Sequence, residues 1–291
     1  MPAPTLSVVV VVLDGGENLA RCLTALGQQQ NPPPMEILVA HDHRLSEPDA
    51  WPHRFPGAQF IFTPHPRNYP AMRAAGVRAA RGAMVAATED QCIPPPQWCA
   101  NIAAEHSARP AAAIGGPVEK RRPDSLLNWA IYLREFGEYT PPLAEGTSAK
   151  LTDCNVSYKR AALDAISDIW RQEFHEPHVH GALVARGERL WLSPALMTEQ
   201  QRSFTLGFAL RERFHFGRLF GRLRLPSLGA AQRALLLVAS PLLPLLLTAR
   251  VMARALRKGK YIGVTLLALP YLLLFSAAWA TGEVVSYIEG D

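Results

Sequence analysis

The sequence predicts an α/β fold, a mixed and mostly parallel sheet flanked by helices, followed by C-terminal hydrophobic membrane helices. Three observations carry this. Residues 7–13 form an unbroken, largely β-branched apolar run that reads as a strand. Leu19, Cys22, Leu23 and Leu26 then recur at helical spacing, so strand and helix follow each other as at the opening of a βαβ unit. The chain closes on two hydrophobic segments, residues 234–249 and 261–282.

The intervening elements follow in order. Beyond the breaker Pro32-Pro33-Pro34, residues 36–40 read as a second strand that ends on His41-Asp42-His43. Residues 59–63 make a third strand, and the Ala/Arg-rich stretch 69–81 a helix. Residues 83–88 are a strand that delivers Glu89-Asp90-Gln91 at its carboxyl end, where ligands sit in open α/β sheets. From 114 to about 189 come Gly115-Gly116, an aromatic stretch at 129–139, a Pro141-Pro142 turn and an amphipathic helix near 159–170. This region reads as the second half of the same domain.

The 291 residues suffice for one sizeable domain plus an appendage. The formal net charge of +5 comes with arginines crowded toward the C-terminal third, beside apolar runs, a placement that favours an anionic membrane surface over nucleic acid. Arg211, Arg213, Arg218, Arg222 and Arg224 alternate with Phe214, Phe216, Leu219, Phe220 and Leu223, as suits an interfacial helix. The second hydrophobic segment is long enough to span a bilayer, which takes about 20 residues. The first is bounded by Arg233 and Arg250 and broken by Pro241 and Pro244, so a re-entrant hairpin competes with a two-span arrangement. Basic flanks on the first segment and acidic Glu283, Glu289 and Asp291 at the close of the chain bear on that choice. Cys22, Cys92, Cys99 and Cys154 form no CxxC pair, which argues for reduced thiols rather than zinc or disulfides. No charged region followed by an apolar core opens the chain, so the N-terminal part is expected to stay in the cytoplasm.

The acidic cluster Glu89-Asp90-Gln91 is the strongest chemical signal. Carboxylates at a strand end can hold Mg²⁺ or Mn²⁺, which in turn bridges a diphosphate; the competing reading is a solvated turn. Four further stretches accompany it: the opening strand through Leu13-Asp14 and Glu17-Asn18-Leu19, the strand Glu36 to Asp42, the helical Met72-Arg73-Ala74-Ala75-Gly76, and Phe174-His175-Glu176 ahead of Gly187. With them, residues 7–196 resemble glycosyltransferase family 2, the inverting family with the GT-A fold, in a membrane-anchored bacterial type. The resemblance implies donor contacts at Leu13, Asp14, Asp42, Arg73, Glu89 and Asp90, with Asp42 standing in because His41 occupies the usual aspartate position. It implies a divalent metal, Mg²⁺ or Mn²⁺, at Glu89, Asp90 and Gln91, the last replacing the usual aspartate.

The same resemblance makes Glu176 the general base that deprotonates an acceptor hydroxyl, with Glu173 and His178 as rivals and dipole complementation at a helix start as the alternative. Asp153 and Asn155, in Thr152-Asp153-Cys154-Asn155, either contact the acceptor or cap a following helix. His175, His178 and His180 alternate as a metal site does, but no acidic or Cys partner completes a set, and exposed loop histidines account for them. Gln200-Gln201-Arg202-Ser203-Phe204 resembles the Gln-x-x-Arg-Trp element of processive synthases only loosely, which favours single addition.

The resemblance thus implies sugar transfer from a nucleotide diphosphate, UDP-linked by expectation, to a membrane-associated or lipid-linked glycan acceptor in cell-envelope polysaccharide synthesis. The expected layout is a catalytic domain over 1–200 facing the cytoplasm, an interfacial segment over 201–229 and an inner-membrane anchor over 230–291. Two rivals stand beside it: a tethered binding protein that keeps the fold without catalysis, fed by His41 and Gln91, and a nucleic-acid binder using the basic stripe.

Overall fold

The computed structural model describes residues 3–121 and 124–290; Met1, ahead of the first strand, and Asp291, the last of the closing acidic residues, lie outside the described residues. Chain order is β1 (Leu6–Val11), α1 (Gly16–Gly27), β2 (Met35–His41), α2 (Ala50–Arg54), β3 (Ala58–Phe62), α3 (Tyr69–Ala79), β4 (Met84–Glu89), β5 (Cys92–Ile93), α4 (Trp98–Ala108), β6 (Ala113–Gly115) and β7 (Val118–Lys120). It continues through α5 (Leu126–Phe136), β8 (Gly146–Ser148), β9 (Asn155–Lys159), α6 (Arg160–Asp164), α7 (Ser167–Trp170), α8 (Glu176–Ala185), β10 (Leu190–Leu192) and β11 (Thr198–Gln200). The last helices are α9 (Leu206–Arg224), α10 (Ala230–Ala239), α11 (Leu243–Lys258), α12 (Ile262–Leu267) and α13 (Leu269–Glu289). Two compact units result, one from Met1–Arg121 with Tyr139–Gln201, the other from Arg122–Glu138 with Arg202–Asp291.

The first unit is built on an eight-stranded sheet in the order β3-β2-β1-β4-β9-β6-β10-β8. β1 pairs in parallel with β2 and β4, and β2 with β3, while β9 lies antiparallel between β4 and β6. Every residue of β1 is buried, as its apolar run requires of a strand covered on both faces. α1 buries Leu19, Cys22, Leu23 and Leu26, the spacing seen in the sequence. α3 lies close to β1 because residue 76 is glycine: a Cβ there would sit 2.3 Å from Val9 Cγ1. A second sheet of β5, β11 and β7 returns the end of this unit to the residues just after β4.

The expected amphipathic helix at 159–170 is divided into two short helices, α6 and α7, and is preceded by a strand, β9, that the sequence reading did not mark. The alternation in Asn155-Val156-Ser157-Tyr158 is a strand pattern, and β4 and β6 supply its partners. Asn155 therefore opens a strand and caps no helix; α6 begins after Lys159 with no side-chain cap. The Asn155 side chain is fully buried and already engaged. Its Oδ1 accepts from Trp98 Nε1 at 2.9 Å, and its Nδ2 donates to the carbonyls of Pro117 at 3.0 Å and Leu196 at 2.5 Å. The expected acceptor contact from Asn155 gives way to a structural clamp.

In the second unit α9 and α13 pack against one another through glycines. A Cβ on Gly217 would lie 2.0 Å from the Trp279 carbonyl oxygen, and one on Gly282 would lie 2.1 Å from that of Phe214. Gly217 and Gly221 are four apart, the spacing that lets two helix backbones approach. α10 and α11 join through a 3-10 turn at Ser240–Leu242, where Pro241 lies, into one helical stretch, Ala230–Lys258. It and Leu269–Glu289 are each long and apolar enough to cross a membrane. α11 also carries Arg250, Arg254 and Arg257, and the second segment is divided at Ala268, before Pro270, into α12 and α13.

Asn155→Ala is expected to lower unfolding stability by on the order of 3 kcal/mol, because it leaves an indole N–H and two carbonyls buried without partners. Thermal unfolding of the ligand-free variant measures this; an unchanged midpoint would mean that the side chain serves something other than the fold.

Candidate active site

The site lies at the carboxyl ends of β1, β2 and β4, as the sheet topology dictates. Asp90 is fully buried, and its carboxylate faces the turn after β1. Oδ1 accepts from Leu13 N at 3.1 Å, and Oδ2 accepts from Asp14 N at 3.0 Å and Gly15 N at 2.6 Å. Burial pushes its pKa up to about 6 against these three donors. Both oxygens are thus committed to backbone. Asp90 organises the turn after β1, and neither of its oxygens is free for the metal or donor contact expected of it.

Asp42 behaves similarly. Its carboxylate accepts from the Arg44 side chain at 2.9 and 3.0 Å, from Arg44 N at 2.9 Å and from Arg67 N at 2.8 Å. Burial opposes ionisation, but these donors hold its pKa at about 2. Arg44 in turn reaches the Leu13 carbonyl at 3.3 Å and lies over the Tyr69 ring, 5.5 Å from its centroid. The reading of the sequence passed over Arg44; its signal is the short polar turn Asp42-His43-Arg44, in which an aspartate bonds to the backbone two residues on. His41 is buried edge-on to Phe60 and Phe62, so this ring replaces the usual carboxylate with packing.

Arg73 joins the two halves of the site. It is buried on α3, its Nη1 pairs with Glu176, and its Nη2 lies 3.6 Å from Glu89. Glu176 is the first residue of α8. It comes to Arg73 because the segment before it docks on the start of α3: Phe174 N donates to the Pro70 carbonyl at 2.9 Å, and Asn68 Nδ2 to Glu173 at 2.8 Å. Burial raises the Glu176 pKa, and Arg73 opposes the rise while Asp153 adds to it. Burial likewise opposes the Arg73 charge, which Glu176, Asp153 and Glu89 together favour. Asp153 therefore belongs to the same electrostatic group. Glu173 is exposed and hydrogen-bonds Asn68 and His175, which leaves Glu176 as the buried carboxylate at this helix start.

The three histidines do not converge. His175 pairs with Glu173 at 2.9 Å, whereas His180 is buried on α8, 2.9 Å from the Tyr158 hydroxyl. Burial lowers the His180 pKa to about 4, so this histidine is neutral packing rather than an exposed loop residue. No three His, Cys, Asp or Glu side chains among the described residues are grouped to hold a metal. Gln91 is fully buried; its Nε2 donates to Asp14, and its Oε1 has no partner. The Gln91 carbonyl accepts from Gln201 N at 2.9 Å, which ties the loosely matched Gln200-Gln201 pair to this same strand end.

Known proteins bear on this geometry in three ways. Comparison with curated proteins finds no match. The fold is shared with solved glycosyltransferase structures. One is the mannosyltransferase PcManGT from Pyrobaculum calidifontis in complex with GDP-Man and Mn²⁺, with TM-score 0.55, 15% identity, and coverage of 99% of this chain and 88% of that one. Another is GalNAc-T7 with UDP, GalNAc and Mn²⁺, with TM-score 0.53, 13% identity and coverage of 69% of this chain; the match spans 44% of GalNAc-T7. The sheet order, with antiparallel β9 set into a mostly parallel sheet, is that GT-A-like fold. The family model for glycosyl transferase family 2 matches residues 7–167 of the 291, and the chain belongs to that family.

Proposed function

We propose that the chain is an inverting glycosyltransferase that moves a sugar from a nucleoside diphosphate to a hydroxyl of a membrane-associated or lipid-linked glycan. The observation that carries this is the Arg73 bridge, which sets the buried carboxylate of Glu176 beside the strand-end carboxylate of Glu89. A base on one side of a reacting sugar and a diphosphate on the other is what single displacement requires. UDP is the expected nucleotide, placed along Leu13, Asp14 and the Asp42 turn; GDP is the alternative, since the solved relatives were captured with each base.

A divalent ion suits the strand end: its donors are all oxygen, and the buried Gln91 Oε1 has no partner. Such an ion, Mg²⁺ or Mn²⁺, would neutralise the charge that builds on a departing diphosphate. The protein's own steps concern the acceptor. Glu176 takes the proton of the acceptor hydroxyl as that oxygen bonds to the anomeric carbon, and the bond from that carbon to the phosphate oxygen breaks with its electron pair on the diphosphate. Arg73 keeps the Glu176 carboxylate oriented for this transfer.

Membrane attachment belongs to the same proposal, at the inner membrane with the first unit in the cytoplasm. Among the described residues, every exposed large apolar side chain other than Phe62, Leu126, Ile169 and Val184 lies beyond residue 205, including Leu235, Val238 and Leu242. The sequence left open a re-entrant first segment with a spanning second one, and a two-span hairpin; the contacts of α13 favour a third arrangement, immersion without crossing. Arg134 lies over the ring of Trp279, at the middle of α13, and Arg224 pairs with Glu283 at 3.1 Å while Arg218 pairs with Glu289. Each arginine at bilayer depth costs about 2.5–3.5 kcal/mol. We therefore read α13 as the central helix of an interfacial bundle whose α10–α11 surface dips into lipid.

Glu176→Gln is expected to cut turnover by about 10²–10⁴-fold while nucleotide binding persists; unchanged turnover removes the assignment. In the wild type, kcat/KM must rise with pH as Glu176 loses its proton, and because burial raises this pKa the acid limb lies above pH 4.5. For the membrane, Lys260→Cys tests topology, since the four native cysteines are buried. An impermeant maleimide added to inverted vesicles is expected to label it. Labelling from the periplasmic side of intact cells would establish a two-span hairpin instead.

A further inference from the structure

The family's metal carboxylate is missing from its usual place, and the surroundings of Gln91 indicate what replaces it. Asp90 offers no free oxygen, because three backbone N–H groups occupy its carboxylate. Glu89 turns toward Arg73, 3.6 Å away. Gln91 brings no charge. Yet the turn after β1 holds an exposed carboxylate, Asp14, fixed twice over: its backbone N–H is held by Asp90, and its side chain accepts from Gln91 Nε2. Asn18 Nδ2 approaches the same Asp14 oxygen at 3.5 Å.

We propose that a divalent cation carried by the donor diphosphate is held in this chain by the Asp14 carboxylate together with the Gln91 carboxamide oxygen, and not by Glu89 or Asp90. This rests on the glycosyltransferase reading above. The second observation, independent of the acidic residue, is Gln91 Oε1, a fully buried polar atom without a hydrogen-bond partner, on a side chain already in contact with Asp14. When the cation binds, a half-turn of the terminal amide gives up the hydrogen bond from Nε2 to Asp14 and sets Oε1 beside the Asp14 carboxylate instead. Two protein oxygens and one negative charge make no standing cage. They match the way Mg²⁺ is bound beside nucleotides, by one or two protein groups with phosphates and waters completing the shell. This also accounts for the lack of a three-ligand group among the described residues.

The position is specific to this chain's pairing of residues. With aspartate at residue 91 the two carboxylates would repel and Asp14 would be pushed toward solvent; with glutamine the amide draws it in. Asp14 therefore supplies the charge that residue 91 has lost.

The test uses the full chain in detergent and follows free Mn²⁺ by electron paramagnetic resonance while UDP, and separately GDP, is added. Wild-type protein is expected to retain Mn²⁺ only when one of these nucleotides is present. Asp14→Asn should weaken Mn²⁺ retention at least about tenfold while its thermal unfolding matches wild type and its nucleotide binding in EDTA, relieved of one repelling charge, is no weaker than wild type. Gln91→Leu should weaken retention as well, whereas Glu89→Gln should leave it as in wild type. Normal retention by Asp14→Asn, or loss of retention in Glu89→Gln with its fold intact, overturns the placement. Nucleotide binding with no Mn²⁺ retained by the wild type overturns it while the donor reading stands. If neither nucleotide binds with or without Mn²⁺, the donor reading fails and the placement falls with it.

Discussion

The buried Asp90 carboxylate, receiving three consecutive backbone N–H groups from residues 13–15, is the contact on which the rest of the site depends. Three converging amides form an anion nest, and the chain can make one there because Gly15 and Gly16 take φ of 72° and 56°. The contact welds the end of β4 to the turn after β1, so two adjacent parallel strands deliver their ends in fixed register. Each stranded N–H would cost about 1–3 kcal/mol, which makes the turn's shape a property of the fold. Every donor-side group is positioned from it: Leu13 reaches Arg44 through its carbonyl, and Asp14 meets Gln91.

A second constraint, the guanidinium of Arg73, carries that order across to the acceptor side. Desolvation would drive Glu89 and Glu176 to neutrality if they stood alone. Placing one buried cation between them favours their charged forms, and because Arg73 belongs to α3, packed on β1 at Gly76, Glu176 is indexed to the same strand whose end Asp90 organises. The opposing influences of burial, which raises the Glu176 pKa, and of Arg73, which lowers it, suit the base proposed above: a carboxylate more basic than one in water.

Most of the alternation of strand and helix up to Glu89 was legible because β1 and β4 are buried along their whole length and α1 shows its apolar stripe; the short α2 carries no such pattern. β9 was not, since a strand of five residues flanked by Thr152-Asp153 and Lys159-Arg160 has the local polarity of a capped helix start, and only its neighbours β4 and β6 decide the matter. The site shows the same division. Motif spacing singled out Arg73 and Glu176, which the fold pairs, but whether a carboxylate faces outward or a backbone turn depends on a single bond rotation. Asp90 and Asp42 point inward, and no linear pattern distinguishes them from Asp14, which points outward. The aromatic stretch at 129–139 likewise gave no sign that α5 belongs with the C-terminal unit, because its partners, α12 and α13, lie more than a hundred residues on.

Charge balance explains why so many carboxylates are tolerated. Asp42 is offset by Arg44, and Arg73 offsets one of the three acids around it, so Glu89, Asp153 and Glu176 together with Asp14 leave a negative surplus. A diphosphate carries negative charge of its own and would be repelled by such a surface. Coulomb energies at partly buried separations of about 4 Å reach about 4 kcal/mol per pair, more than hydrogen bonds to a nucleoside would offset. For the reaction proposed above, the surplus is therefore a reason for donor and cation to bind together, and for the ligand-free site to hold neither tightly. It would also give the departing nucleotide a means of release, because once the sugar has gone the same repulsion acts on any diphosphate that loses its cation.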